Sequence, residues 1–420
     1  MIQLSFLGAM ATVGASGVLI DTGTEKIVLD YGTKIRETPP LFPIPVQGKV
    51  DAVILTHTHL DHSGGVPIFF AKENNVPIFS LAVTRQLTEM LLLDSIKISR
   101  EERVELPFTK ADVRCAIKNF CPVEYRKPFK IHHTEVIPFD AGHIPGSMMP
   151  FLDFGKKTLL YTGDVNTRAT RLLKKADEKI PETDTLVTES TYSERDHPDR
   201  KQQEKQLIQI IEDTLSVDGI CFIAGFAVGR IDEILLVLDE NGIDYPVYVD
   251  GMAKKAITII NQHKNMLKAP DILDNALKKV QYVASDRMRK KIVKDPGVIL
   301  STSGMLTGGP IVNYIRNFFG NERCSLVLTS FQLEDTPGKK LLETGRFIYK
   351  DLDLEMKMAV KRLDFSSHCG RKELFELVEN INPGKVFCIH GDHTEEFAGE
   401  LKEKGFDAIA PVANNRIFSI

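Results

Sequence analysis

Short apolar runs separated by turn residues fill the first half of the chain. Ile2–Leu7, Ser16–Asp21 and Lys26–Asp30 read as strands, parted by a glycine-rich turn and by Asp-Thr-Gly-Thr. Val50–Thr56 (V-D-A-V-I-L-T) has the pattern of a buried strand, and Pro77–Ser80, Glu135–Asp140, Lys157–Tyr161 and Thr185–Thr188 are further strands. Helical spacing covers Leu81–Ser95 and Asp112–Asn119. After Glu189 the order changes. Gln203–Leu215 is helical, Gly219–Ala224 a strand, Arg230–Asp239 a helix, Pro246–Asp250 a strand with a helix from Met252, and Gly297–Ser301 and Cys324–Thr329 are strands. Strands alternating with helices predict a parallel α/β unit. From about Lys361 the chain returns to a helix, Lys372–Ile381, and a strand, Lys385–Ile389.

Length adds that 420 residues exceed one ordinary domain, and 43% hydrophobic residues supply a substantial core. The net charge of −4 excludes a protein that holds nucleic acid by bulk charge, so a polyanion must be met locally. None of the six cysteines forms a C-x-x-C pair, which predicts reduced thiols and a cytoplasmic location. The N-terminus lacks the basic stretch of a signal peptide, and no run approaches the ~20 apolar residues of a membrane span.

The chemistry is concentrated after Val50–Thr56, in Thr56-His57-Thr58-His59-Leu60-Asp61-His62-Ser63-Gly64-Gly65. His57 and His59 are two apart and face one way in an extended segment. With Asp61 and His62 they place four N/O ligands within six positions, enough for a zinc-type site that two ions share. Three further candidates end strands: His143 in F-D-A-G-H-I-P-G-S, Asp164 in L-Y-T-G-D and His390 in F-C-I-H-G-D. Asp30, ending I-V-L-D-Y-G, is expected to orient a ligand imidazole or its loop.

Asp30, His57-x-His59-x-Asp61-His62, His143, Asp164 and His390 resemble the motif series of the metallo-β-lactamase superfamily. The resemblance implies an αββα sandwich with a dinuclear zinc site at one edge. His57, His59 and His143 would hold one metal, Asp61, His62 and His390 the other, and Asp164 would bridge. The ligand types fit two zinc ions per chain, with manganese or iron as alternatives. The hydrolytic lactamases carry Cys at the position of Asp164, which argues against antibiotic hydrolysis.

The second half resembles the β-CASP nucleases in particular. Glu189 in T-E-S-T-Y, His368 in L-D-F-S-S-H-C-G-R and His390 are similar to motifs A, B and C of that family. G-F-A-V-G-R (225–230), Y-V-D-G-M-A (248–253) and S-T-S-G-M-L-T-G-G-P (301–310) are β-CASP-like as well. The implied organisation is a metallo-β-lactamase domain in two parts, 1–192 and 361–420, with an inserted α/β domain, 193–360. His at motif C marks the RNA-processing branch, whereas DNA-repair members carry Val. The run Asp364-Phe365-Ser366-Ser367-His368 is closer to the cleavage and polyadenylation specificity factor nucleases than to RNase J, which has His at the place of Asp364. The chain has the look of the compact archaeal or bacterial form, without an added RNA-binding module or a long tail.

This resemblance implies a metal-dependent ribonuclease that cleaves single-stranded RNA through a di-zinc-activated hydroxide, leaving 3′-hydroxyl and 5′-phosphate ends in RNA processing or decay. His368, Glu189 and Asp61 would be the catalytic residues, with His368 the general acid and Glu189 its orienting carboxylate. The alternatives are a 5′-to-3′ exonuclease of RNase J type, a DNA nuclease, a small-molecule thioesterase or lactonase, and a non-catalytic RNA-binding scaffold. The intact ligand set argues against the scaffold, and residues 193–360 against the small-molecule enzyme. A homodimer or a related β-CASP subunit is the expected protein partner, and no membrane is expected.

The residues themselves suggest where RNA binds. Ser301–Pro310 reads as a strand, a Ser/Thr/Gly loop and a helix opening on Pro310, a layout whose backbone amides hold anions. Ser301, Ser303, Gly304, Gly308, Gly309 and, from the similar Phe222–Arg230 segment, Arg230 are the expected contacts. Arg287-Met288-Arg289-Lys290-Lys291 reads either as a solvated helix face, which the charge pattern favours, or as part of an RNA path.

Overall fold

The computed structural model describes residues 2–34, 39–71, 75–414 and 416–420. They form two compact units. The first holds residues 1–169, 174–196 and 367–420, and the second holds 170–173 and 197–366. The crossings fall at 196/197 and 366/367, where the sequence placed 192/193 and 360/361, and the short segment 170–173 also joins the second unit.

The first unit is a sandwich of two sheets with helices outside both. Among the described residues one sheet runs Ile417–Ser419, Gln3–Phe6, Val18–Asp21, Lys26–Leu29, Ala52–Ile54, Ile78–Leu81, Phe120–Val123. The other runs Ala408–Ile409, Lys385–Ile389, Thr185–Glu189, Thr158–Tyr161, Met148–Asp153, Thr134–Asp140, Phe129–Ile131. The sheets meet through alternate residues of each strand; Phe6 packs on Phe387 with ring centroids 5.1 Å apart. The intervening residues face outward to the helices. Val28, Val53 and Ile78 meet Leu92, Ile96, Val113 and Ile117, and Leu160, Leu186, Val386 and Cys388 meet Leu374, Val378, Phe397 and Leu401. Burial on both faces is why these strands read as continuous apolar runs. The helix expected over Leu81–Ser95 extends to Ala82–Glu102, and strands Phe120–Val123, Phe129–Ile131 and Met148–Asp153 escaped the sequence reading. Pro122 and Pro150 interrupt the usual strand composition there.

The second unit is a parallel sheet, in the order Val280–Tyr282, Val247–Asp250, Gly297–Ser301, Ile220–Ala224, Ser325–Leu328, Ala359–Arg362 among the described residues. Helix Arg200–Ser216 leads into the sheet, helices Arg230–Glu240, Ala253–Gln262 and Pro310–Phe318 connect its strands, and Arg346–Tyr349 pairs with Leu352–Glu355 as a separate hairpin. Among the described residues no helix is long and apolar enough to cross a membrane.

Candidate metal centre

Strand ends of the first unit build the centre. Asp30 follows Lys26–Leu29, residues 56–62 follow Ala52–Ile54, His143 follows Thr134–Asp140, Asp164 follows Thr158–Tyr161, Glu189 ends Thr185–Glu189 and His390 follows Lys385–Ile389. Asp30 and His390 each turn through a left-handed conformation, φ 55° and 53°. Asp and His tolerate that region better than most residues. Backbone bonds hold both turns: Asp30 N–H donates to Ile54 O at 2.9 Å and His390 N–H to Ala9 O at 2.8 Å. Glycine is required before Asp164, because Gly163 has φ 51° and an added Cβ would stand 2.8 Å from Thr56 Oγ1.

The seven candidate ligands divide about Asp164. Asp164 Oδ2 is 3.4 Å from His57 Nε2 and 3.5 Å from His143 Nε2, which is 3.2 Å from His59 Nδ1. Asp164 Oδ1 is 3.2 Å from both His62 Nε2 and His390 Nδ1, and His390 Nε2 is 3.4 Å from Asp61 Oδ2. Within each of two sets, His57/His59/His143/Asp164 and His62/Asp164/His390, all donor atoms lie within 4.8 Å of one another.

Several orienting partners fix these rings. His62 Nδ1–H donates to Asp30 Oδ2 at 2.7 Å, which turns Nε2 toward Asp164. Asp30 in turn accepts from Thr56 N at 2.7 Å and Tyr161 OH at 2.9 Å. His143 Nδ1–H donates to Ser367 O at 2.8 Å, and the Thr191 hydroxyl lies 3.3 Å from His390 Nδ1. Sequence reasoning did not single out Thr56, Tyr161, Thr191 or Ser367. Their signal was adjacency to the motifs, and only the fold shows which atoms they serve.

Burial holds His57, His59 and His143 below the ordinary histidine range, His59 at about 3, and the neighbouring imidazoles reinforce it. Burial also acts on His62 and His390, but Asp164 outweighs it and raises both, His390 to about 9. The buried atoms His57 Nε2, Asp164 Oδ1 and His390 Nε2 make no hydrogen bond. Buried polar atoms are costly without partners. Imidazole nitrogens and carboxylate oxygens are zinc donors, so the residues present fit a bound metal on chemistry and on unsatisfied bonding alike.

Beside this cluster, His368 Nδ1 lies 3.0 and 2.9 Å from the two oxygens of Glu189. Glu189 is buried and also accepts from Val165 N at 2.7 Å. Burial lowers the His368 pKa, but the carboxylates of Glu189 and Asp164 outweigh it and the net shift is upward. The next residue, Cys369, packs into the apolar layer with Leu374 and Cys388.

In the second unit two of the expected RNA contacts, Ser301 and Arg230, are buried. Ser301 is fully buried with its hydroxyl on Thr302 O, and Arg230 is buried, so neither side chain offers a surface contact. Pro310 does open a helix, but Ile311 N–H is taken by Thr302 O at 3.2 Å and Val312 N–H by Gly309 O at 3.3 Å. The helix after Gly229 is capped by its own Asp232 carboxylate at 3.0 Å. At the Pro310 helix the two amides that follow the proline are therefore already taken by backbone carbonyls, and at the other helix the Asp232 carboxylate occupies the N-cap amide. Ser303 accepts from Thr307 N at 3.0 Å, and Gly304 is packed so closely that a Cβ would stand 2.5 Å from Ser330 Oγ. Gly308 is half-buried and Gly309 exposed.

Three family descriptions match the chain: a metallo-beta-lactamase superfamily domain over residues 12–191, a Beta-Casp domain over 232–341, and a Zn-dependent metallo-hydrolase RNA specificity domain over 353–411. A protein named probable RNase MJ4 of Methanocaldococcus jannaschii is 38% identical, over 99% of both chains. RNase aCSPSF2 of Saccharolobus solfataricus is 35% identical over 97% of this chain and 83% of its own length. Transcription termination factor FttA of M. jannaschii is 31% identical over 96% of this chain and 69% of its own. A solved structure of a protein of unknown function from Enterococcus faecalis superposes with a TM-score of 0.64 at 14% identity, covering 100% of both chains.

Proposed function

Since the chain belongs to the β-CASP family of the metallo-β-lactamase superfamily, we propose that it is a metal-dependent ribonuclease cutting single-stranded RNA to 3′-hydroxyl and 5′-phosphate ends. One observation carries the reading: the His368–Glu189 pair stands beside a cluster in which a single carboxylate, Asp164, serves both ligand sets. Its RNase-named relatives support the choice of RNA.

His57, His59 and His143 would hold one zinc, Asp61, His62 and His390 the other, with Asp164 between them. Two such ions polarise phosphoryl oxygens and make water acidic near neutral pH. The protein's own residues supply the rest. A leaving 3′-oxygen needs a proton, and His368 provides it from Nε2. Glu189 can only accept, so it holds the His368 proton at Nδ1, fixes the ring plane and favours the imidazolium. Asp30 does for His62 what Glu189 does for His368, in the service of metal binding.

Internal cleavage is favoured over digestion from a 5′ monophosphate. Asp364 is half-buried, accepts from His197 Nδ1 at 3.1 Å and from Ser366 N at 2.9 Å, and is held below the usual carboxylate range by His197 against the effect of burial. A fixed negative charge there is unfavourable to a terminal phosphate. The test is a time course on 5′-labelled single-stranded RNA bearing triphosphate, monophosphate or hydroxyl ends, with matched DNA. Labelled fragments of intermediate length from all three RNAs are expected. Release of labelled mononucleotide, fastest from the monophosphate, would replace this reading with a 5′ exonuclease. Absence of cleavage with both metals bound would replace it with a scaffold.

A further inference from the structure

The amides of Ile311 and Val312 at the Pro310 helix are taken by backbone carbonyls, and Asp232 occupies Gly229 N, so cationic side chains elsewhere in the second unit bear on how a bound RNA's charge is met. The charge distribution shows where. Residues 252–294 contain eleven Lys and Arg against three Asp and Glu, in a chain whose net charge is −4. Several of these cations are spent: Arg289 pairs with Asp250 and Asp286, Lys264 with Asp271 and Asp274, and Lys279 with Asp239. Arg287, Lys290, Lys291 and Lys294 are exposed and none has an acidic partner within ion-pair distance among the described residues.

Their spacing is i, i+3, i+4, i+7, so the helix Asp286–Ile292 and the turn after it present them as one stripe. The opposite face carries Met288 and Ile292 into the core. Arg289 ties this helix to the carboxyl end of Val247–Asp250 through Asp250, at 2.6 and 3.0 Å. The adjacent edge strand Val280–Tyr282 ends on Tyr282, an exposed aromatic, and Lys254 bonds the carbonyl of Val283 just beyond it. Lys255, the next residue, is exposed and without an acidic partner among the described residues. Cations and an exposed ring thus gather along the edge of the parallel sheet, Tyr282 and Lys255 at the carboxyl ends of their strands and the stripe running back from there toward Gly297.

We propose that this edge, formed by Arg287, Lys290, Lys291, Lys294, Lys255 and Tyr282, is a docking surface for single-stranded RNA outside the metal centre. Charge complementarity selects a polyanion, and the ring beside the stripe selects unpaired bases, which stack on aromatic side chains where duplex bases cannot. The inference rests on the reading of the protein as a ribonuclease, but it concerns binding and is tested as binding.

The full chain, zinc-loaded and carrying His368→Ala so that RNA survives, is titrated with a labelled 20-nucleotide RNA over a range of salt. Three cations are removed together as Arg287→Ala/Lys290→Ala/Lys291→Ala, with melting curves checking the fold. Each phosphate contact on a single strand contributes about 0.7 to the slope of log K against log salt, so the slope is expected to fall by roughly 2. Tyr282→Ala is expected to weaken binding roughly tenfold with the slope unchanged. A folded triple variant with wild-type affinity and slope would overturn the proposal and leave the stripe to an acidic protein partner. Equal loss of duplex DNA binding would overturn the single-strand assignment. A parent protein that binds with this slope yet never cleaves RNA would count against the proposed function and leave the docking surface standing.

Discussion

The imidazole of His368 and the carboxylate of Glu189 face each other in the first unit, Nδ1 within 3.0 Å of both oxygens, although 179 residues separate them. Glu189 is buried and can only accept, so the proton between them belongs to His368. Removing the ring should leave the ligand sets intact. His368→Ala is expected to retain both metals by elemental analysis and to lose roughly 10²–10⁴-fold in kcat. Loss of metal in this variant would place His368 among the ligands instead. Glu189→Gln should keep metal and lose less than His368→Ala, since the ring stays in place with a weaker partner.

Asp164 is the one carboxylate shared by both ligand sets. Asp164→Ala is expected to lose metal outright and activity with it, and a variant that still binds two ions per chain would disprove the bridging role. Chelation of the wild-type protein should abolish cleavage, and added zinc should restore it.

Among the described residues the Asp30 carboxylate hydrogen-bonds His62, Thr56 and Tyr161. Asp30→Ala should weaken metal affinity by roughly 10–100-fold, because the His62 ring loses the acceptor that sets its tautomer. The readout is a competition titration against a metal chelator. An unchanged affinity would mean that packing alone orients His62.

Asp232 links the second unit to pH. It is fully buried, one oxygen caps the helix at Gly229 N and the other makes no hydrogen bond, and burial raises its pKa to about 7. The unfolded chain releases this proton near pH 4. Between about pH 4 and 7 the folded state therefore binds more protons than the unfolded one, and stability falls as pH rises through that window. Asp232→Asn keeps the cap and removes the titration. Its melting temperature should exceed that of the wild type at pH 8 and approach it at pH 5, a difference in free energy of up to roughly 4 kcal/mol. A pH-independent difference would contradict the shift.

Packing between the sheets offers a control outside the chemistry. Phe387→Ala removes a ring that meets Phe6 and Phe418, and should cost about 3–5 kcal/mol. Denaturant unfolding measures it directly.

Much of this site was legible before the fold. His57, His59, Asp61 and His62 lie within six positions, so local geometry alone brings them together. Asp164, His143 and His390 each end a strand, and strands that run parallel in a sandwich deliver their ends to one edge. Motif order therefore carried the ligand set, and alternating strands and helices carried the inserted unit. What local pattern could not carry was the destination of individual atoms. It could not say that Asp30 would take His62 Nδ1, or that Asp164 would turn one oxygen to each ligand set, since those depend on contacts across the sheets.

The RNA loops show the same division from its other side. Ser301 and the helix opening at Pro310 have the residue types of an anion site, and the tertiary structure spends them internally: Ser301 on Thr302 O and Ile311 N–H on Thr302 O, while Asp232 occupies the N-cap amide of the other helix. Arg287, Lys290, Lys291 and Lys294 have the composition of an ordinary solvated helix, and the structure leaves them on one face without carboxylate partners among the described residues. The sequence alone determined which side chains the protein has for metal and proton chemistry, because their types and their places at strand ends are local properties. Only the tertiary structure decided which polar groups are already satisfied and which still face outward, because a hydrogen bond between distant segments exists only once the chain has folded.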